Sequence, residues 1–162
     1  MSEATAAAPM LPMIERRRIE AEILKHVYDT LSASHGKEVA AQTLAQAVRS
    51  SAIEQAAGMA AEVDGKTSMR TFIARQAQWR MGGVMDIAIK HESDERYAFD
   101  VTRCGYAEMY REMGLGEIGH LLSCQRDGSF CEGYDPRLQL TRTQTLMGGA
   151  THCDFDYTMK DD

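Results

Sequence analysis

At Met85 the spacing of apolar residues changes, and that change limits the folds open to this chain more than any other feature. Before it, apolar residues recur every three to four positions, the period of a helix lying on a core. After it they alternate with polar ones, the period of a strand with one buried face. Upstream, Ile19, Ile23, Val27 and Leu31 stand four apart, with Leu24 and Tyr28 beside them. They predict a first helix with this stripe as its apolar face. Gly36 punctuates, and an alanine-rich second helix runs from about Lys37 to Ala61 with Leu44 and Val48 on one face. Asp64-Gly65 is a turn. Thr67 or Ser68 caps a third helix, which carries Phe72, Ile73 and Trp79 and stops at Gly82-Gly83.

Downstream, Met85, Ile87 and Ile89 alternate with Asp86, Ala88 and Lys90, and Tyr97, Phe99 and Val101 alternate with Ala98, Asp100 and Thr102. With "HESDER" as a polar turn, these read as a β-hairpin. Tyr106 to Met113 is a short helix ended by Gly114, and Glu117 to Cys124 is another. Leu138 and Leu140 begin a third strand that "RTQTL" extends. After Gly148-Gly149, the alternation of Cys153, Phe155, Tyr157 and Met159 marks a fourth. The expected class is α+β: a helical N-terminal half packed on a small four-stranded antiparallel sheet, with two short helices inserted between strands. Residues 1–12, broken by Pro9 and Pro12 and without periodicity, are expected to form a flexible leader. Residues 13–162 are expected to form one domain, a length sufficient for a single core.

Charge narrows the partners. Lys and Arg number 18 against 24 Asp and Glu, a net −6, and no dense basic patch with interleaved aromatics is present. That argues against nucleic acid as a partner. Arg16-Arg17-Arg18 lies beside Glu15 and Glu20 and reads as a solvated helix face. No apolar run approaches the roughly 18 residues that cross a bilayer. Glu3 sits where a signal peptide carries positive charge. These features predict a cytoplasmic protein with no membrane partner. The four cysteines are then too few for a disulfide scaffold, and thiol chemistry, metal binding and plain burial all stay open.

Those cysteines all fall from residue 104 onward. Cys104 leaves a strand, precedes Gly105 and begins a helix, where free amides and the helix dipole favour a thiolate. Such a thiol can be a nucleophile; burial as a small apolar side chain is the competing account. Cys124 ends a helix, where the dipole opposes a thiolate. Asp127 follows in a Gly-containing turn, either as an acid/base group or as a turn residue binding its own backbone. Cys153 shares a strand face with Phe155 and Tyr157, which favours burial, and His152 points the other way. Cys131 lies in a loop. His120 and Cys124 are four apart on one helix face, and Cys104, Cys153 or Asp127 would complete a tetrahedral zinc set, although no CxxC or HxxxH is present. "GLGEIG" lacks the strand–turn–helix setting of a phosphate loop. Met59, Met69, Met81 and Met85 read as packing residues.

Two stretches, "FDVTRCGYAEMYREMGLGEIGHLLSCQRDGSF" and "PRLQLTRTQTLMGGATHCDFDY", together resemble the L-2-amino-thiazoline-4-carboxylic acid hydrolase family. The pattern is a cysteine after a strand with an aromatic two residues on, here Cys104 and Tyr106. A Cys-x-x-Asp comes later, Cys124 and Asp127, then Arg142 to Leu146, then Gly148 or Gly149 with Cys153-Asp154-Phe155. Cys131 is outside the pattern. The resemblance implies hydrolytic opening of a small nitrogen-containing ring: the named reaction opens a cyclic isothiourea to a carbamoyl-cysteine. The expected substrate class is a cyclic amidine, imide or lactam opened at a C–N bond, with no cofactor. On this reading Cys104 is the nucleophile, Asp127 the acid/base group, and Arg142 holds a carboxylate, with Tyr106, Cys124 and Cys153 contacting substrate. The expected partner is a small-molecule substrate, and a homo-oligomer is compatible. Two alternatives come from other classes: a small-molecule-binding sensory domain like those beside bacterial regulators, and a zinc-stabilised scaffold.

Overall fold

The switch in apolar period divides two layers. The computed structural model of the chain describes residues 10–162. Three helices come first: α1 (Met13–His35), α2 (Lys37–Ala61) and α3 (Met69–Arg80). The hairpin β1 (Met85–Glu92) and β2 (Arg96–Cys104) is next, then α4 (Gly105–Glu112), a π-helical turn (His120–Cys124) and α5 (Gln125–Tyr134). Strands β3 (Leu138–Thr141) and β4 (Cys153–Met159) complete the order. All strand pairings are antiparallel, in the order β1-β2-β4-β3. The fold is therefore the expected α+β arrangement, with helices inserted between β2 and β3. Of the leader expected over 1–12, residues 1–9 lie outside the described residues; Met10 and Leu11 are exposed. Among the described residues no helix is long and apolar enough to cross a membrane.

Local signals work where they are specific. Ser68 forms a capping box: its hydroxyl accepts from the Thr71 amide at 3.2 Å, and the Thr71 hydroxyl accepts from the Ser68 amide at 2.9 Å. Leu44 and Val48 of α2 are buried together, joined by Ala40, Ala52 and Ala56. Tyr97, Phe99 and Val101 of β2 are buried, and Cys153 and Tyr157 of β4 join them.

Three expectations are corrected. The Ile19–Ile23–Val27 stripe of α1 faces outward, with Ile19 and Ile23 57% and 63% exposed. The helix instead buries Met13, Arg17, Ala21 and Tyr28. Its inner face meets the alanine row of α2, where small residues permit close approach, and Gln55 accepts from Arg17 there at 2.9 Å. Second, Gln125–Tyr134 is helix rather than loop, so Asp127 lies in a first helical turn and Cys131 is buried in α5. Gly133 looks like a helix breaker, yet it serves packing: a Cβ there would sit 2.2 Å from the Ile53 carbonyl oxygen of α2. Third, "RTQTL" does not extend β3, which ends at Thr141. Asp154 accepts from the amides of Thr143 and Gln144, both at 3.0 Å, and so replaces the ladder partner those residues would have needed.

Two buried clusters result, one beneath α1, α2 and α4, the other between the sheet and α3 with α5. Trp79, Met85 and Cys104 pack against both. The seam they mark opens into a cavity that all three of these residues line.

Candidate functional site

Cys104 is the last residue of β2 and the N-cap of α4. The chain turns sharply there: the Gly105 amide donates to the Val84 carbonyl at 2.6 Å, and a Cβ on Gly105 would lie 2.7 Å from that oxygen. This close approach requires glycine. It leaves Cys104 facing the cavity, a space of about 60 Å³ between the sheet and the inserted helices. All six residues singled out in the sequence line it: Cys104, Tyr106, Cys124, Asp127, Arg142 and Cys153. They come from β2, α4, the π turn, α5, the segment after β3, and β4. Cys131 does not line it; its thiol donates to the Asp127 carbonyl at 3.4 Å within α5.

Cys124 is not at a helix end, as expected, but at the junction where the π turn passes into α5. A π turn inserts one residue into the helical ladder and re-aims the side chains beyond it, so Cys124 and Asp127 both reach the cavity. Arg142 fixes that junction. Its Nη1 donates to Asp127 Oδ2 at 2.7 Å and its Nη2 to the Cys124 carbonyl at 3.0 Å. The guanidinium carbon lies 4.9 Å from the centre of the Phe155 ring, which it faces. The charge of Arg142, expected to be available for a substrate carboxylate, is thus matched by Asp127.

Tyr106 donates to the Trp79 carbonyl at 2.9 Å and ties α4 to the end of α3. Sequence reasoning missed Trp79, Gln76, Tyr110 and Met147 as lining residues. They carry no chemical motif, and only packing reveals them.

The electrostatics correct one expectation about Cys104. Burial pushes its thiol up, and outweighs the backbone amides of Ala107 and Tyr106 that hold it down. The helix start does act on this sulfur, but the resting group is a thiol. Burial likewise raises Cys153, against a hydrogen bond from the Leu146 amide at 3.2 Å. Burial, with Asp127 nearby, pushes Cys124 up to about 12. Asp127 is raised as well: loss of water around its carboxyl outweighs the stabilising charge and hydrogen bond of Arg142. Part of the Asp127 side chain remains accessible, but that surface lines the cavity. The site is a largely apolar pocket, in which proton movement accompanies any charge that forms.

The zinc set considered from the sequence does not assemble. His120 is exposed and does not line the cavity. Among the described residues no three His, Cys, Asp or Glu side chains are grouped so that they could hold a metal ion.

A model of the family described as L-2-amino-thiazoline-4-carboxylic acid hydrolase matches residues 16–157. No curated protein matches the chain in sequence. Among solved structures, the crystal structure of the phenol-responsive sensory domain of the transcription activator PoxR with phenol is similar at a TM-score of 0.54. It is 12% identical, with 88% of this chain and 74% of that chain covered, a likeness of fold alone.

Proposed function

Because the chain belongs to the L-2-amino-thiazoline-4-carboxylic acid hydrolase family, we propose that it hydrolyses a small nitrogen-containing ring by attack of Cys104 with Asp127 as the proton carrier. One observation carries the reading. A thiol at a helix start, a raised carboxyl and a supporting arginine meet in one largely apolar cavity, although they come from separate elements. Perturbed titratable groups in an enclosed pocket are the usual setting for acid/base work.

In this mechanism the ring carbon bonded to two heteroatoms is the electrophile. Cys104 Sγ adds to it while the thiol proton passes to the Asp127 carboxylate. The amides of Tyr106 and Ala107 stabilise the sulfur as charge develops. Collapse of the adduct breaks the ring, and Asp127 returns the proton to the departing heteroatom. In a lactam, imide or cyclic amidine that atom is nitrogen. In a 2-aminothiazoline opened to a carbamoyl-cysteine it is the ring sulfur, because the product carbon keeps both nitrogens. Water then adds to the thioester-like carbon, gives a proton to Asp127, and expels Cys104, which regains its proton. Arg142 acts through Asp127: bonded to Oδ2, it leaves Oδ1 to carry the proton.

The test is direct. Purified protein is incubated with 2-amino-2-thiazoline-4-carboxylate, hydantoins and small lactams, and ring-opened products are read by mass spectrometry. Ring opening by wild type and its loss in Cys104→Ser support the reading. No product from any ring would sink it. A second reading, a small-molecule-binding domain without catalysis, is favoured by the fold likeness to a phenol-responsive domain and by the aromatic lining from Trp79, Phe99 and Phe155. Saturable binding of the same rings without turnover would favour it.

A further inference from the structure

A smaller recess of about 20 Å³ adjoins the main cavity, and Gln76, Trp79 and Asp127 line both. That is room for one or two oxygen-sized atoms. Arg17 of α1 and Arg126 of α5 also line it, and they are only 2% and 7% exposed. Buried guanidinium groups are rare unless paired. Arg17 is paired: it donates to both Glu20 oxygens at 2.8 and 2.6 Å and to Gln55 at 2.9 Å.

Arg126 is not satisfied in the same way. Its Nε donates to the Leu122 carbonyl at 3.1 Å, and its Nη2 reaches Glu20 only at 3.5 Å. Its buried Nη1 has no acceptor among the described residues. Glu20 also receives Arg16 at 3.3 Å, so one carboxylate answers three guanidinium groups. Burial and the neighbouring Arg17 pull the Arg126 guanidinium down to about 10. Around the two spaces, Arg17, Arg126 and Arg142 stand against Glu20 and Asp127, which leaves one positive charge unmatched. A buried unmatched charge is costly, and an anion placed beside it removes the cost.

We propose that this recess is a carboxylate subsite, in which a ligand carboxylate accepts from Arg126 and Arg17 while its ring occupies the cavity beside Cys104. The proposal rests on the ring-hydrolase reading and assigns the residues that hold the carboxylate of its ring. It moves carboxylate recognition from Arg142, whose charge Asp127 has taken, to Arg126. Asp127 is the one carboxylate on the shared wall. Arg142 holds its Oδ2 and balances its charge, so Asp127 keeps the carboxylate that takes the Cys104 proton while Arg126 and Arg17 meet the ligand's anion. Arg80 also lines the main cavity, but it is half-buried at the end of α3, and water meets its charge at little cost.

Trp79 is the only tryptophan in the chain and lines both spaces, so its fluorescence reports occupancy. Wild type is titrated with 2-amino-2-thiazoline-4-carboxylate and with the neutral ring 2-amino-2-thiazoline. The charged ring is expected to bind roughly 10- to 100-fold more tightly, the strength of charge-assisted hydrogen bonds. Arg126→Met should remove most of that preference and leave the neutral ring's affinity nearly unchanged, whereas Arg80→Met should retain the preference. If Arg126→Met does not fold, Arg126→Lys replaces it, with a partial loss of preference expected. Equal affinities in wild type, an unchanged preference in the Arg126 variant, or a loss confined to Arg80→Met would overturn the proposal and assign the recess to bound water. Turnover in the same samples separates the two readings. Ring opening without any Arg126 effect leaves the hydrolase and removes the subsite. Carboxylate-selective binding without ring opening does the reverse.

Discussion

The two halves of the molecule contribute unlike things to the cavity. Everything after Val101 brings groups that can react or hold charge there: Cys104, Tyr106, Cys124, Asp127, Arg142 and Cys153. The helical half brings Gln76, Trp79 and Arg80 at the end of α3, and the buried Arg17 from α1 behind them. Reactive groups must be aimed, and here they sit at element ends and junctions: the β2–α4 turn, the π turn, the break after β3. Enclosing groups need only bulk, and the last turns of α3 supply it. The difference teaches that chemistry and enclosure are separable in this fold. Substitutions of the cavity-lining groups of the later half should act on turnover or on a specific charge, and those at packed contacts between the layers on stability.

The largest expected effect tests the reactive side. Cys104→Ser should lower kcat by about 1,000-fold or more, roughly 4 kcal/mol in the barrier, because a hydroxyl is far less readily ionised. The melting temperature should stay close to wild type. Equal turnover in the variant would remove the thiol mechanism and leave Asp127 acting on water.

Next is Arg142→Met, which leaves the Asp127 carboxyl without its partner. A loss of about 3 kcal/mol in stability is expected at pH 8. The sign with pH comes from burial. The folded state holds Asp127's proton more tightly than the unfolded chain, so this group's contribution is present at low pH and lost as pH rises through the folded value. Without Arg142 that value rises further. The variant's deficit should therefore shrink on acidification, read by thermal unfolding at pH 8 and pH 5. A deficit that grows at pH 5 would contradict the buried pair.

A smaller effect probes the contact between the halves. Gly133→Ala forces a methyl against the Ile53 carbonyl of α2 and should cost roughly 1–3 kcal/mol. Gly128→Ala, in the same helix with nothing within 4 Å of the added carbon, should stabilise by roughly 0.5–1 kcal/mol. Denaturant midpoints of the pair would show whether α5 is pressed on α2 at Gly133; equal shifts would show that it is not.

The smallest effect concerns α1. Ile19→Gln with Ile23→Gln should change stability by about 0.5 kcal/mol or less for each, since both side chains already face outward. A loss of several kcal/mol, with a change in sedimentation, would instead show this stripe covered by a second copy of the chain.

Much of this was legible in the residues, though unevenly. The alternation through Tyr97, Phe99 and Val101 named both the strand and its buried side, because a pleat offers only two faces. The spacing of Ile19, Ile23 and Val27 named a helix but not its phase, because a helix can turn any side inward. Gly128 and Gly133 concealed α5. Asp154 carried no local sign that it would grip the Thr143 and Gln144 amides across the end of a strand.

By itself the sequence determined the local backbone: where helices start at Ser68 or Cys104, where the period changes, and which residues carry sulfur or charge. Caps, turns and periods are set by groups within a few residues of each other, so they can be read in order along the chain. The tertiary structure alone decided which charges meet. Arg126 shares Glu20 across 106 positions, and Arg17 reaches Gln55 across 38. It also reversed the behaviour of Cys104. The local amides favour a thiolate, but packing from remote elements removes the water that would solvate it, and desolvation outweighs the amides.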